Sequence, residues 1–307
     1  MGSGIAEAFA AGGLEVRITD ATPELSERAR ERVLARAQSA VEKGLIDAEL
    51  LDRVKSVRAC ASIAEAADGA EFVLEAVAED VAIKHAVLAE IEGAVAEDTI
   101  IATNTSSLSV DVMAEPLARP QRFAGMHWFN PPEWTPGVEV VAGPQTDQAV
   151  VDRLVEFLRA LGKAPAIVKA STGFVANRLQ MALLCEAVRC VEDGIASPEE
   201  IDEVARSTFG FRLPFFGPFQ IADMAGLDVY EAVMAQHREG LGERFFIPEL
   251  LRERVARGET GTSSGAGFYA YAEGEPERLL SERDERYAAL AQLLERLPPQ
   301  RFTARED

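Results

Sequence analysis

Short apolar runs alternate with longer amphipathic stretches through the first half of the chain, and beyond about residue 173 the short runs stop. Phe72-Val73-Leu74-Glu75-Ala76, Thr99-Ile100-Ile101-Ala102-Thr103, Phe123-Ala124-Gly125-Met126-His127, Val138-Glu139-Val140-Val141 and Ala164–Val168 are brief and nearly continuous. Such runs predict strands covered on both faces, as in a parallel sheet. Val16–Asp20 predicts one more. Between them, Thr22-Pro23-Glu24 is a cap with proline at the first helical position; it opens a helix to about Lys43, closed by Gly44. Asp147–Leu161 is amphipathic with helical spacing. Strands alternating with helices imply a doubly wound α/β layer.

From Phe174 to Asp193 the chain reads as one long apolar helix ended by Gly194. Ser197-Pro198-Glu199-Glu200 is a capping box. Phe211–Pro218 reads as a loop, and more helix follows. The expected organisation is an α/β domain over 1–172, an all-α domain over 173–272, and a charged tail over 273–307 with one helix, Leu280–Leu297.

Composition narrows the classes. Apolar residues make up 48% of the 307, enough for two cores, and no apolar run is long enough for a membrane helix. The first residues carry no basic segment ahead of an apolar stretch, so no secretory signal is expected. The formal charge of −20 argues against a nucleic-acid partner. Cys60, Cys185 and Cys190 lack metal spacing and fit buried thiols in a reducing cytoplasm, with Cys185 and Cys190 expected in the core of their helix. No metal site is expected.

The chain opens Met1-Gly2-Ser3-Gly4-Ile5-Ala6, a small turn leading into an apolar helix, and Glu15–Asp20 is a strand ending in an acid. This matches the second half of a dinucleotide-binding unit of the Rossmann type. There a glycine turn precedes the first helix, and an acid about 20 residues on takes the ribose 2′-hydroxyl. Gly2 can be the last glycine of that fingerprint and Asp20 the acid. Three polar clusters then fall at strand ends. Asn104-Thr105-Ser106-Ser107 is either a ligand site or a turn with capping serines. His127 is either a base or a satisfied core group. Glu139, twelve residues further on, is either paired with His127 by a returning strand or in water on an edge. Pairing would hold the imidazole in one tautomer and stabilise its protonated form.

Asn104-Thr105-Ser106-Ser107-Leu108, His127-Trp128-Phe129-Asn130-Pro131, Gly173-Phe174-Val175-Ala176-Asn177-Arg178 and Gly265-Ala266-Gly267-Phe268-Tyr269 occur in order. Together, over about residues 1–271, they resemble the L-3-hydroxyacyl-CoA dehydrogenase family, which includes the 3-hydroxybutyryl-CoA dehydrogenases. The resemblance implies NAD-dependent oxidation of an L-3-hydroxyacyl-CoA to the 3-ketoacyl-CoA, and the reverse. It makes His127 the general base and Glu139 its orienting partner, with Ser106 and Asn177 holding the substrate oxygen. Gly2, Asp20, Glu79, Lys84, Ser106 and Asn130 would line the NAD cleft, though Lys84 can equally be a solvated helix residue. Arg36 and Lys43, with Ser106, would contact the acyl-CoA substrate. A cytoplasmic homodimer joined through the helical domain is expected.

The departures also matter. Ser263 stands where the family often has lysine. Trp128 and the Pro132-Glu133-Trp134-Thr135-Pro136 loop are bulkier than the common form, so the substrate need not be simple acetoacetyl-CoA. Relatives resembling L-gulonate 3-dehydrogenase, lambda-crystallin or carnitine dehydrogenase share the fold without the CoA handle. A non-catalytic relative that has lost its cofactor is a further alternative. The family fingerprint typically reads Gly-x-Gly-x-Met-Gly-x-Gly-Ile-Ala. The resemblance thus implies a gene product that starts upstream of Met1 and a first strand missing from this chain. Val16–Asp20 and Phe72–Ala76 would then face an empty slot.

Overall fold

Thr22 opens the first long helix as its sequence predicts. Its hydroxyl accepts from the Leu25 amide, and Pro23, with no amide to satisfy, takes the first helical position. The computed structural model describes residues 1–300, so the end of the charged tail lies outside the described residues. The chain forms two compact units, Met1–Leu183 and Leu184 onward.

The first unit runs α1 (Gly2–Ala11), β1 (Arg17–Ile18), α2 (Pro23–Glu42), α3 (Ala48–Lys55), β2 (Arg58–Ala59), α4 (Ile63–Ala67) and β3 (Phe72–Glu75). It continues with α5 (Val81–Ala94), β4 (Ile100–Thr103), α6 (Val110–Ala114), β5 (Phe123–Trp128), β6 (Gly137–Ala142), α7 (Gln148–Ala160), β7 (Ala164–Lys169) and the start of α8 (Ala176–Glu192). Hydrogen bonds join β3-β4-β5-β6-β7 into one five-stranded sheet. β1 and β2 form a separate parallel pair. Among the described residues, β1 pairs only with β2, and β3 only with β4.

β3, β4 and β5 are parallel, but β6 runs antiparallel to β5, and β7 is parallel to β6. The uniformly apolar runs suggested a parallel sheet, and these last two strands are the exception. A parallel crossover needs about a dozen residues or more. The connection 129–136 is too short for that, so the chain turns back. α7 then supplies the crossover from β6 to β7. Every residue of β4 and β5 is buried. One face packs Ile5, Met126, Trp128, Val140 and Leu154, and the other Leu88, Ile101, Met113, Phe123 and Val141.

The second unit holds the rest of α8, then α9 (Pro198–Ser207), α10 (Phe209–Arg212), α11 (Pro218–Ala225), α12 (Leu227–Leu241), α13 (Glu249–Ala256) and α14 (Glu275–Arg296). The expected loop over Phe211–Pro218 thus begins inside a short helical turn. Asp223, 1% exposed, accepts from the Phe268 and Tyr269 amides and the Tyr271 hydroxyl. Burial and that bond push the Tyr271 hydroxyl pKa upward. The same carboxylate explains one glycine of the last motif, because a Cβ on Gly267 would lie 2.4 Å from Asp223 Oδ1, while Gly265 is required by its φ of 76°. Cys185 and Cys190 are a correction. Cys185 is exposed and Cys190 half-exposed, because no residue of α8 is buried within the single chain.

Candidate active site

The antiparallel return of β6 sets His127 directly opposite Glu139. His127 Nδ1 lies 2.9 Å from Glu139 Oε2, and both residues are buried. The other carboxylate oxygen, Oε1, accepts from the backbone amides of Val175 (3.0 Å) and Ala176 (2.9 Å), where α8 begins. A helix start presents unpaired N–H groups and partial positive charge, which suits a carboxylate. The two amides are aimed by the turn before them. Gly173 has φ 72° and Phe174 φ 48°, a left-handed conformation that a bulky residue adopts only when packing holds it. Phe174 is 2% exposed, and its ring centroid lies 5.4 Å from that of His127, with Phe129 at 4.5 Å. With Nδ1–H donated to Glu139, the other ring nitrogen keeps its lone pair. Nε2 makes no hydrogen bond to any described residue.

A second constellation gathers where β3 and β4 end. Glu79 Oε1 accepts from the Thr105 hydroxyl (2.6 Å), the Ser106 amide (2.8 Å), and the amide and hydroxyl of Ser107 (3.0 and 3.1 Å). Burial pushes the Glu79 carboxyl upward. The Thr105 hydroxyl, the Ser106 and Ser107 amides and the Lys84 charge outweigh it and hold the pKa at about 2. Asn177 Nδ2 donates to the Ser106 carbonyl at 2.9 Å. The Ser106 peptide is therefore gripped from both sides, while its hydroxyl makes no hydrogen bond to any described residue. Lys84 is not a solvated helix residue. It is 1% exposed and bridges Glu75 (2.9 Å) and Glu79 (3.3 Å).

The remaining predicted residues are less closely joined. Gly2 begins α1 beside the end of β3, where an added Cβ would lie 3.7 Å from Ala76 Cβ. Asp20 is exposed past the end of β1, with its carboxylate accepting from the Ala21 amide. Asn130 is exposed ahead of a cis peptide bond to Pro131. Lys43 is exposed at the end of α2. Arg36 is engaged within the fold, 3.1 Å from Glu7 and 4.0 Å from Glu133. Sequence reasoning gave no role to Glu75 or to the Val175 and Ala176 amides, and it named Asn104 only as part of the polar cluster after β4. Asn104 Oδ1 accepts from the Trp128 amide and so ties the Ser106 turn to the strand carrying His127. Glu75 had a signal: it is a carboxylate inside an apolar strand, as Glu139 is.

A buried imidazole with one nitrogen fixed by a carboxylate and the other free is built to take and return a proton. An unpaired serine hydroxyl on a rigid turn is built to donate to an oxygen. Comparisons with known proteins fit this chemistry. Residues 1–171 match the family model described as 3-hydroxyacyl-CoA dehydrogenase, NAD binding domain, and residues 173–271 match its C-terminal domain. The chain is 38% identical over 277 residues to a probable 3-hydroxybutyryl-CoA dehydrogenase of Bacillus subtilis, covering 89% of this chain and 94% of that one. It is 35% identical over 296 residues to 5-formyl-3-hydroxy-2-methylpyridine 4-carboxylate 5-dehydrogenase of Mesorhizobium japonicum, covering 96% and 95%. Among solved structures it resembles a 3-hydroxyacyl-CoA dehydrogenase of Archaeoglobus fulgidus, with TM-score 0.79, 35% identity, and 96% and 95% coverage.

Proposed function

We propose that this chain, which belongs to the 3-hydroxyacyl-CoA dehydrogenase family, oxidises the 3-hydroxyl of an L-3-hydroxyacyl-CoA with His127 as general base. The observation that carries the reading is the His127–Glu139 pair anchored on the start of α8. Nε2 takes the hydroxyl proton as the carbinol carbon gives up hydride. The adjacent Glu139 carboxylate stabilises the imidazolium that forms. Ser106 Oγ donates to the developing ketone oxygen. Asn177 spends its amide on the Ser106 carbonyl, so it acts by aiming the serine.

NAD is the cofactor of this family's N-terminal domain. The residues present fit it in part. The start of α1 lies beside the end of β3, Asp20 is exposed past β1, and both belong to the first unit. Asp20 would accept from a ribose hydroxyl and repel a 2′-phosphate, which favours NAD over NADP. When bound, NAD accepts the hydride. Glu79 and Lys84 serve the cofactor side by building the Ser106 turn. Lys43, exposed at the end of α2, would meet the coenzyme A handle. A homodimer through the helical part and a cytoplasmic setting complete the reading.

A second reading has its own support. Arg36, placed by resemblance at the coenzyme A handle, is engaged by Glu7 and Glu133. The Mesorhizobium relative is named for a pyridine substrate with no coenzyme A. One assay separates the two. NADH formation is measured with L-3-hydroxyacyl-CoAs of several chain lengths and with the matching free hydroxy acids. Turnover confined to the thioesters supports the first reading. Turnover confined to the free acids overturns it.

A further inference from the structure

We infer that Glu75 is a positioning residue that holds the Ser106 turn through Lys84 and Glu79, a role that rests on the proposed use of Ser106. Glu75 closes β3, and its side chain is fully buried. All of its strong contacts are donors. Lys84 Nζ reaches Oε1 at 2.9 Å and Oε2 at 3.1 Å, the Val77 amide reaches Oε1 at 2.6 Å, and the Thr103 hydroxyl at the end of β4 reaches Oε2 at 2.5 Å. Glu75 is thereby fixed to two strands of the sheet. Its carbonyl also accepts from the Asn104 amide, the first residue of the turn.

Lys84 is the link from this anchor to the turn. Its ammonium touches the two oxygens of Glu75, the Val77 carbonyl at 3.4 Å and Glu79 Oε2 at 3.3 Å. The shorter contacts are to Glu75, so Glu75 sets where the charge stands, and Glu79 takes its place from that charge. Glu79 then uses its other oxygen to gather four donors of Thr105, Ser106 and Ser107. One cation shared between two carboxylates makes the position of each depend on the other. With Glu75 neutral, the Lys84 ammonium loses its anchor on the sheet, and Glu79 loses the fixed charge from which it takes its place on the turn. A group that only filled the core would leave the turn in place when replaced by a neutral side chain of its own size.

The test compares Glu75→Gln, Glu79→Gln and the double variant. Amide exchange is resolved at Ser106 and Ser107, and kcat and KM are measured. Glu75→Gln is expected to speed exchange at those two amides at least about tenfold while β4 stays protected. It is also expected to lower kcat about 10–10²-fold, the size of effect a small misplacement of a reacting group produces. On the Glu79→Gln background it should add nothing, because the clamp is already gone. Glu75→Asp, which keeps the charge, should restore most of the protection. Unchanged exchange and kcat in Glu75→Gln, or losses that simply multiply in the double variant, overturn the inference. If Glu75→Gln does not fold, Glu75→Gln/Lys84→Met removes both charges and leaves none buried alone. A folded double variant with a loosened turn supports the inference. One with a protected turn, or global loss of protection in both variants, overturns it. Exchange is read without substrate. A wild-type protein inactive on acyl-CoAs therefore defeats the proposed reaction and leaves this result standing.

Discussion

A carboxylate in an apolar strand must find donors, because an unpaired charge in the interior is expensive. That rule makes Glu139 visible before any coordinates, and His127 twelve positions earlier is the donor it finds. The rule applies equally to Glu75, whose donors stay hidden because Lys84 follows an intervening turn and reads as a surface residue of α5. His127→Ala should cost about 10²–10⁴ in turnover with little change in folding. Near-normal turnover in that variant would end its assignment as the base. Asp20→Ala should weaken NAD and narrow its advantage over NADP in competition assays. Equal use of both cofactors by the unmutated protein contradicts this. Glu79 gives a pH prediction. Its folded pKa of about 2 lies below the ordinary 4.5. Its bonds therefore contribute stability fully above the ordinary value, and that contribution is lost as pH falls through about 2. A carboxyl titration followed by NMR should place its midpoint near 2, and a midpoint above 4 would show the clamp to be absent.

Among the elements, caps and strand cores were legible and pairing direction was not. Thr22-Pro23 and the Ser197 capping box mark helix starts through side-chain acceptors that act within a few residues. β1 and β2 are only two residues each, too short to show a strand alternation, whereas the amphipathic α3 and the Ser62 cap of α4 do leave a signal between Gly44 and Phe72. Nothing in an apolar run states whether a strand runs parallel or antiparallel; the length of 129–136 does. That connection creates the His127–Glu139 opposition, so the site depends on how closely β5 and β6 approach. Gly125 sits opposite Val141 in the same ladder, two positions from His127. An added Cβ would lie 2.9 Å from Val141 Cβ and 3.0 Å from Val110 Cγ2. Both neighbours are buried and cannot swing away. Gly125→Ala should therefore destabilise the unit by about 1–3 kcal/mol, read from denaturant midpoints. An unchanged midpoint would mean that the strands separate freely and that close approach does not hold the pair together.

On the scale of the whole molecule, the apolar face of α8 is what the single chain leaves unfinished. Leu184, Val188 and Val191 recur at helical spacing and are 52%, 47% and 40% exposed. The sequence showed the helix to be apolar and so suggested a core position for its cysteines. It could not show that this stripe stays exposed among the described residues. A stripe of this kind fits the proposed second copy, since a two-fold contact lays the same stripe on itself. Association must overcome charge, because each copy carries a formal −20. Salt screens that repulsion while leaving apolar contact intact, with a screening length of about 10 Å at 0.1 M and 3 Å at 1 M. Sedimentation should therefore show a dimer that tightens as salt is raised, the reverse of an interface held by ion pairs. Leu184→Asp/Val188→Asp adds charge to the stripe and should shift the protein to monomer without unfolding it. A wild-type protein that stays monomeric at high salt, or a dimer indifferent to both substitutions, would place the contact elsewhere or remove it.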